Sequence, residues 1–363
     1  MPRNYYRTIE DLEDAFYGRG AREVMKADAP VLSSTTAVYN AVYGAKCWSQ
    51  MNLEANAFGV LKKSPWNMSG WRVITARANA TVIGGVAENA QLPDTLKPTF
   101  AQVSTKPKTV VHGFNVSEVQ QYLGKVDDSL GDTMEAMREY MAKEHAEHMN
   151  KMLLGDVDVV AGNNIESIDR VVSANNEVAR VTANDCDIYG LDRDAGASWT
   201  DAYVDTAASS RALTLAMVDA LFQNVWVNGG DPKLLFTGYD TDVRISALLQ
   251  AQQRFVENQV VKGSVNGMQT LEGINAGFIV NSYLKRPIIV SKDTKQDTIS
   301  RLYALDTDFL ELRVAKPTRY YESGIESGDP FGINYLGQEG LYNTMAELIC
   351  YFFKAQGKVR DLL

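Results

Sequence analysis

Among side chains able to do acid–base or metal chemistry near neutral pH, histidine is scarce in this 363-residue chain: His112, His145 and His148 are the whole set. Two of them stand in KEHAEH, three residues apart, with Glu144 and Glu147 beside them. On a helix, one face of this segment could in principle offer imidazole and carboxylate to a divalent cation. The spacing is neither H-E-x-x-H nor H-x-x-E-H, and the sequence supplies no identifiable third ligand. The competing interpretation places His145 in an apolar stripe and turns the glutamates to solvent. Periodicity favours it: Leu130, Met134, Met137, Met141, His145, Met149 and Met152 recur at three- and four-residue steps. A metal-dependent hydrolase built on KEHAEH is therefore only the minor alternative.

Other chemistry finds less support. Asp127 and Asp128, and the group from Asp192 to Asp194, lack the alternating oxygen ligands and closing glutamate of a calcium loop. No stretch fits G-x-x-x-x-G-K-[ST], G-x-G-x-x-G or G-x-S-x-G, which removes phosphate-cradling loops and a strained serine elbow. Cys47, Cys186 and Cys350 are odd in number and form no C-x-x-C pair. They are expected as buried thiols in a reducing compartment. The expectation is a protein that is not an enzyme, with no cofactor, no metal and no catalytic residue.

The elements must therefore carry the function. A formal net charge of −9 argues against wrapping nucleic acid, which needs clustered Lys and Arg. No apolar signal region opens the chain, and no window approaches the ~18 consecutive apolar residues of a membrane span, so neither secretion nor membrane insertion is expected. The sequons at Asn67, Asn79 and Asn115 are then without glycosylation context. Residues 1–64 carry weak helical periodicity in short pieces and read as an arm that lies on something else. From Trp71 the text becomes strand-like, and 65–115 reads as a long hairpin, with Pro98 and Pro107 each removing a ladder donor. A bare hairpin is marginally stable in water, so a neighbouring subunit is the expected support.

Ser117 and Gln120 form a capping-box pattern, and a long helix follows to Gly155. The stretch 156–212 is rich in turns but holds the strand-like IDRVV and VARV. TLAMVDALFQNVW is predicted as a helix ended by Asn228, Gly229 and Gly230. KLLFTG then reads as a buried strand and TDVRISALLQAQQRF as a second helix. FIVNSY, PIIVS, SRLYALD, LELRVAKP and LYNTMAELICYFFKA are predicted strands, followed by a basic tail, KVRDLL. The class is α+β.

The succession of GGVAENAQLPDTLKPTFAQVSTKPKTVVHGFNVSE, a long helix ending in LLGD, TLAMVDALFQNVWVNGGDPKLLFTG and the ending AELICYFFKAQGKVRDL resembles major capsid proteins of tailed double-stranded DNA viruses, those of the Hong Kong 97 capsid fold. Glu88, Asn89, Ala90 and Pro93 match the family's hairpin tip, and Gly229, Gly230 and Pro232 its axial turn. The resemblance implies an N-terminal arm (1–64), an extended E-loop (65–115), a peripheral domain with spine helix and inserted lobe (116–212), an axial domain (213–340), and a closing strand with C-terminal tail (341–363). It implies self-assembly into pentamers and hexamers of an icosahedral shell that encloses viral DNA without sequence-specific binding. Assembly in the host cytoplasm and separate scaffolding, portal and decoration proteins would accompany it. An encapsulin-type nanocompartment shell is the rival within the fold. Inter-subunit contact is expected at Trp71, Glu88, Asn89, Lys97 and Lys106, because charged groups on a protruding hairpin meet a neighbour's opposite charges. The stretch 156–212 is longer than the family's usual link, and no long helical scaffolding segment precedes the arm.

Overall fold

A computed structural model describes residues 55–76, 88, 97–119, 122, 133–159, 162–180, 186–193, 197–251, 259–260, 279–280, 282–324 and 336–363. In chain order the elements begin with α1 (Asn56–Val60), β1 (Lys62–Pro65), β2 (Gly70–Ala76), β3 (Thr99–Ser104), β4 (Lys108–Ser117), α2 (Thr133–Leu153) and α3 (Ile168–Val171). Next come β5 (Tyr203–Asp205), α4 (Leu215–Val227), β6 (Leu234–Thr237), α5 (Tyr239–Ala251), β7 (Gln259–Val260) and β8 (Ile279–Val280). The chain closes with β9 (Ser282–Tyr283), β10 (Arg286–Val290), β11 (Leu302–Leu305), β12 (Leu310–Gly324), β13 (Gly337–Cys350) and β14 (Gly357–Val359). The class is α+β, as expected.

The chain divides into two compact units. One comprises 1–50, 115–139 and 322–339, and its described part is held by Glu322, which pairs with Arg138 at 2.8 Å and accepts from Gln338. The other comprises 51–114, 140–321 and 340–363 and holds the principal core.

A six-stranded mixed sheet runs in the order β5-β14-β11-β6-β10-β9. Because side chains alternate across a strand, both of its faces can be apolar only if both are covered. Leu234 and Phe236 of β6 and Tyr303 and Leu305 of β11 enter one core cluster, with Met149, Leu153, Ile168 and Leu348. The intervening Leu235, Leu302 and Ala304 enter a second cluster, built with α4 and α5 through Leu215, Val218, Leu221, Val225, Ile245 and Leu249. The buried positions of α4 recur at three- and four-residue steps, which fixes its apolar face. Thr214 caps its start by accepting from the Met217 N–H, and Gly229, at φ +94°, ends it in a conformation other residues resist. Gly357 lets the helix lie directly on β14, since a Cβ there would strike Leu221 and Val225 at 2.7 and 2.9 Å.

A four-stranded sheet has the order β1-β12-β13-β4, and β2 and β3 form a separate two-stranded hairpin. Lys108–Ser117 therefore leaves the hairpin for another sheet, and among the described residues the pairing within 65–115 is between β2 and β3. Residues 1–54 of the expected arm lie outside the described residues, as do Leu130, Gln120 and Cys47. The end of the arm is core material: Ala57, Val60 and Leu61 are buried.

Two sequence expectations need correction. IDRV is the helix α3, capped by the Ser167 hydroxyl, and Asn175–Arg180 is a 3-10 helix. KVRDLL is buried up to its last residue, with Lys358 and Leu362 at 0% exposure and Leu363 at 52%. A shared ionic network explains both. The Asp169 carboxylate accepts from Lys358 and Tyr303 at 2.9 Å, from Arg301 at 2.6 Å and from the Val157 N–H at 2.7 Å. Glu177 pairs with Lys358 at 2.9 Å and Arg360 at 2.6 Å. Asp297 and Asp156 complete it through Arg301, at 2.8 and 3.0 Å. Burial alone would raise the Asp169 carboxyl, but the Lys358 and Arg301 charges hold it well below the usual carboxylate range. Tertiary charge pairing thus overrides the β-propensity of the valines and draws the basic ending inside.

Candidate inter-subunit surface

The hairpin is anchored through one face. β2 and β3 pair antiparallel, with Trp71 opposite Val103 and Ile74 opposite Phe100. Trp71 is 8% exposed and Val103 0%, and both cluster with Ile349 of β13. Trp71 also meets the rings of Tyr189 and Tyr351 edge-on, at 5.7 and 5.6 Å between centroids. The expected contact residue Trp71 thus spends its ring on packing inside its own chain. Its indole N–H finds no hydrogen-bond partner among the described residues.

Successive side chains of a strand face opposite sides, so Ile74 and Phe100 fall on the other face, where they are 61% and 59% exposed. A cross-strand apolar pair left in solvent is a feature that the list of charged candidates missed. The alternation in WRVITA carried the signal, since Trp71 and Val73 share one face and Ile74 the other. Glu88, Lys97 and Lys106 are exposed, and Asn89 lies outside the described residues.

KEHAEH lies on α2. His145 is 2% exposed in the stripe with Met134, Met141 and Met149, as the periodicity implies. Glu147 corrects the expectation that both glutamates face solvent: it is 8% exposed and binds Lys292 at 2.5 Å and Lys151 at 3.1 Å. Hydrogen bonding to Lys292 is the main cause of its lowered carboxyl, against the opposing effect of burial. His112 on β4 lies beside both helix histidines, its ring centroid 6.4 Å from that of His145 and 5.9 Å from that of His148. No group of three or more His, Cys, Asp or Glu side chains that could hold a metal ion occurs among the described residues. Cys186 and Cys350 are buried free thiols, and burial raises both. No described helix is long and apolar enough to cross a membrane.

The fold is similar to that in the capsid asymmetric unit of cyanophage A-1(L), at 14% identity and a TM-score of 0.63, over 88% of this chain and 95% of that one. It is similar to the capsid of the native GTA particle, at 11% identity and a TM-score of 0.57, over 95% and 98%. The holo-SrpI encapsulin complex from Synechococcus elongatus PCC 7942 matches at 10% identity and a TM-score of 0.50, over 95% of each chain. No curated protein sequence matches. Residues 56–341 match the model of the SU10 major capsid protein family, and the chain belongs to that family. It is a major capsid protein.

Proposed function

We propose that this major capsid protein assembles as pentamers and hexamers of a closed icosahedral shell around viral double-stranded DNA. Its role is structural. The observation that carries the reading is the family match over most of the chain, joined to a hairpin with a bare apolar face. In this reading β2 and β3 belong to the E-loop, α2 is the spine helix, and the helices and sheet of 213–340 form the axial domain. The arm would span 1–64, the peripheral domain with its inserted lobe 116–212, and the closing strand and tail 341–363.

Trp71 fixes the root of the hairpin, while Ile74 and Phe100 pack on the neighbouring subunit. Glu88, Asn89, Lys97 and Lys106 set its register through charge and hydrogen bonding at the rim. Copies joined head to tail close into rings when the rotation permits, and a reaching hairpin adds area that a compact body cannot supply. The shell is the capsid of the virion, put together in host cytoplasm, with scaffolding, portal and decoration proteins as separate partners. DNA is held by enclosure, consistent with the net charge of −9.

Electron microscopy and sedimentation of the purified chain, expressed alone and with a packaging host's proteins, test this. Closed shells, tubes, or rings of five or six support it. A species that stays monomeric under every condition overturns it. Shells that enclose protein cargo and exclude nucleic acid would favour the encapsulin reading, to which the fold is also similar.

A further inference from the structure

All three histidines of the chain come together, although His112 lies on β4 and the other two on α2. The His112 ring meets the rings of His145 and His148 nearly at right angles, at 87° in both cases. The innermost, His145, shares a hydrogen bond of 2.8 Å through Nε2 with the Thr344 hydroxyl of β13, which in turn contacts the Thr318 hydroxyl of β12 at 2.8 Å. Its Nδ1 is buried with no partner among the described residues. Tyr342 of β13 stacks on the ring at 6.0 Å.

We propose that His112, His145 and His148 form an acid-responsive latch that holds α2 on strands β4 and β13 while the rings are neutral and loosens it when they gain protons. The groups facing His145 decide the sign. From β4 comes His112, from its own helix His148, and from β13 Tyr342 and Thr344; Thr318 of β12 stands behind. None of these is an anion at neutral pH.

The nearby carboxylates lie against side chains other than His145. Glu147 is held by Lys292 and Lys151, and Glu144 stands 3.8 Å from His112 Nε2. A charged His112 therefore has a counter-ion, whereas a charged His145 has like charges beside it and a buried Nδ1–H with nothing to receive it. Burial first, and then His112 and His148, lower the His145 ring to about 4. On acidification a charge placed on the buried His145, whose Nδ1–H has nothing to receive it, is relieved only when the helix lifts and admits water.

Histidine C2-hydrogen exchange by mass spectrometry reports each ring separately in the intact protein. Amide exchange of α2 between about pH 7 and the His145 midpoint reports the latch. In the wild-type protein the α2 amides are expected to lose protection at least ~10-fold, beyond the intrinsic pH effect, as His145 titrates. His148→Asn, at an exposed position, removes one like charge and should move that opening to lower pH. His145→Gln should abolish it. An acid midpoint shared by wild type and His148→Asn, or rings that titrate with no change in α2 protection, overturns the proposal even if His145→Gln does not fold. Because the readout is the chain's own helix, it stands or fails separately from shell assembly.

Discussion

Glu347 shows how far burial moves a single carboxyl from its ordinary chemistry. It sits at 0% exposure on β13, with Oε1 accepting from the backbone N–H groups of Glu166 at 2.8 Å and Leu348 at 3.0 Å. Oε2 has no partner among the described residues. Burial dominates, and although the two amide donors oppose it, the carboxyl is pushed up to about 8 from the ordinary value of 4.5. Between those limits the folded chain holds more protons than the unfolded chain. Stability is then greatest below the unfolded value and falls as pH rises through the folded one. Glu347→Gln keeps the acceptor and removes the ionisation. Its melting temperature should match wild type near the unfolded value and exceed it increasingly up to about pH 8, by on the order of 3–5 kcal/mol in unfolding free energy. Calorimetry across that range decides it, and parallel pH profiles would refute it. Asp169→Asn acts oppositely, because it leaves Lys358 and Arg301 with one fewer buried counter-charge. A loss of ~3–5 kcal/mol in denaturant unfolding is expected. The charged partners of Asp169 lie far from it in sequence, Lys358 being 189 residues away, so no local pattern announces them.

At the scale of the element, legibility follows range. The strands β6, β10, β11 and β13 and the helices α4 and α5 are visible in sequence because a short apolar run, alternation or a three-four period lies within each of them. The stripe of α2 is legible for the same reason, down to His145. IDRV and KVRDLL are not, because the force that shapes them is an ionic network joining both to Arg301. The hairpin stands between these cases. Its strands are legible, but which face docks on the chain depends on Ile349, Tyr189 and Tyr351, which are distant in sequence. The two faces should therefore respond differently to mutation. Trp71→Ala empties a packed site and should destabilise the subunit by ~3–5 kcal/mol. Replacing Ile74 and Phe100 together by Ser touches side chains already in solvent, so the melting temperature should hold while the yield of assembled particles drops. Thermal melting beside sedimentation separates the two. Wild-type particle yield from the Ile74 and Phe100 double variant would remove that face from the interface.

For the whole molecule the decisive quantity is a net charge of −9 on every copy. A shell brings many such copies into contact, and their mutual repulsion extends over a Debye length, which is ~30 Å at 0.01 M salt and ~8 Å at 0.15 M. The exposed Lys97 and Lys106 offer attraction to an acidic neighbour, but exposed ion pairs contribute only ~0–1 kcal/mol each and weaken in the same salt. In the proposed interface, repulsion summed over several neighbours outweighs such pairs, while burial of Ile74 and Phe100 there would not depend on screening. Assembly should therefore rise with salt between about 0.01 M and 0.5 M, as followed by light scattering. Lys97→Glu with Lys106→Glu lowers the charge by a further four and removes the attraction proposed for these two side chains. That variant should need more salt to reach the same yield, with subunit melting unchanged. If assembly instead falls steadily as salt is added, ion pairing and not apolar contact holds the copies together, and the hairpin's charged rim becomes the dominant part of the interface.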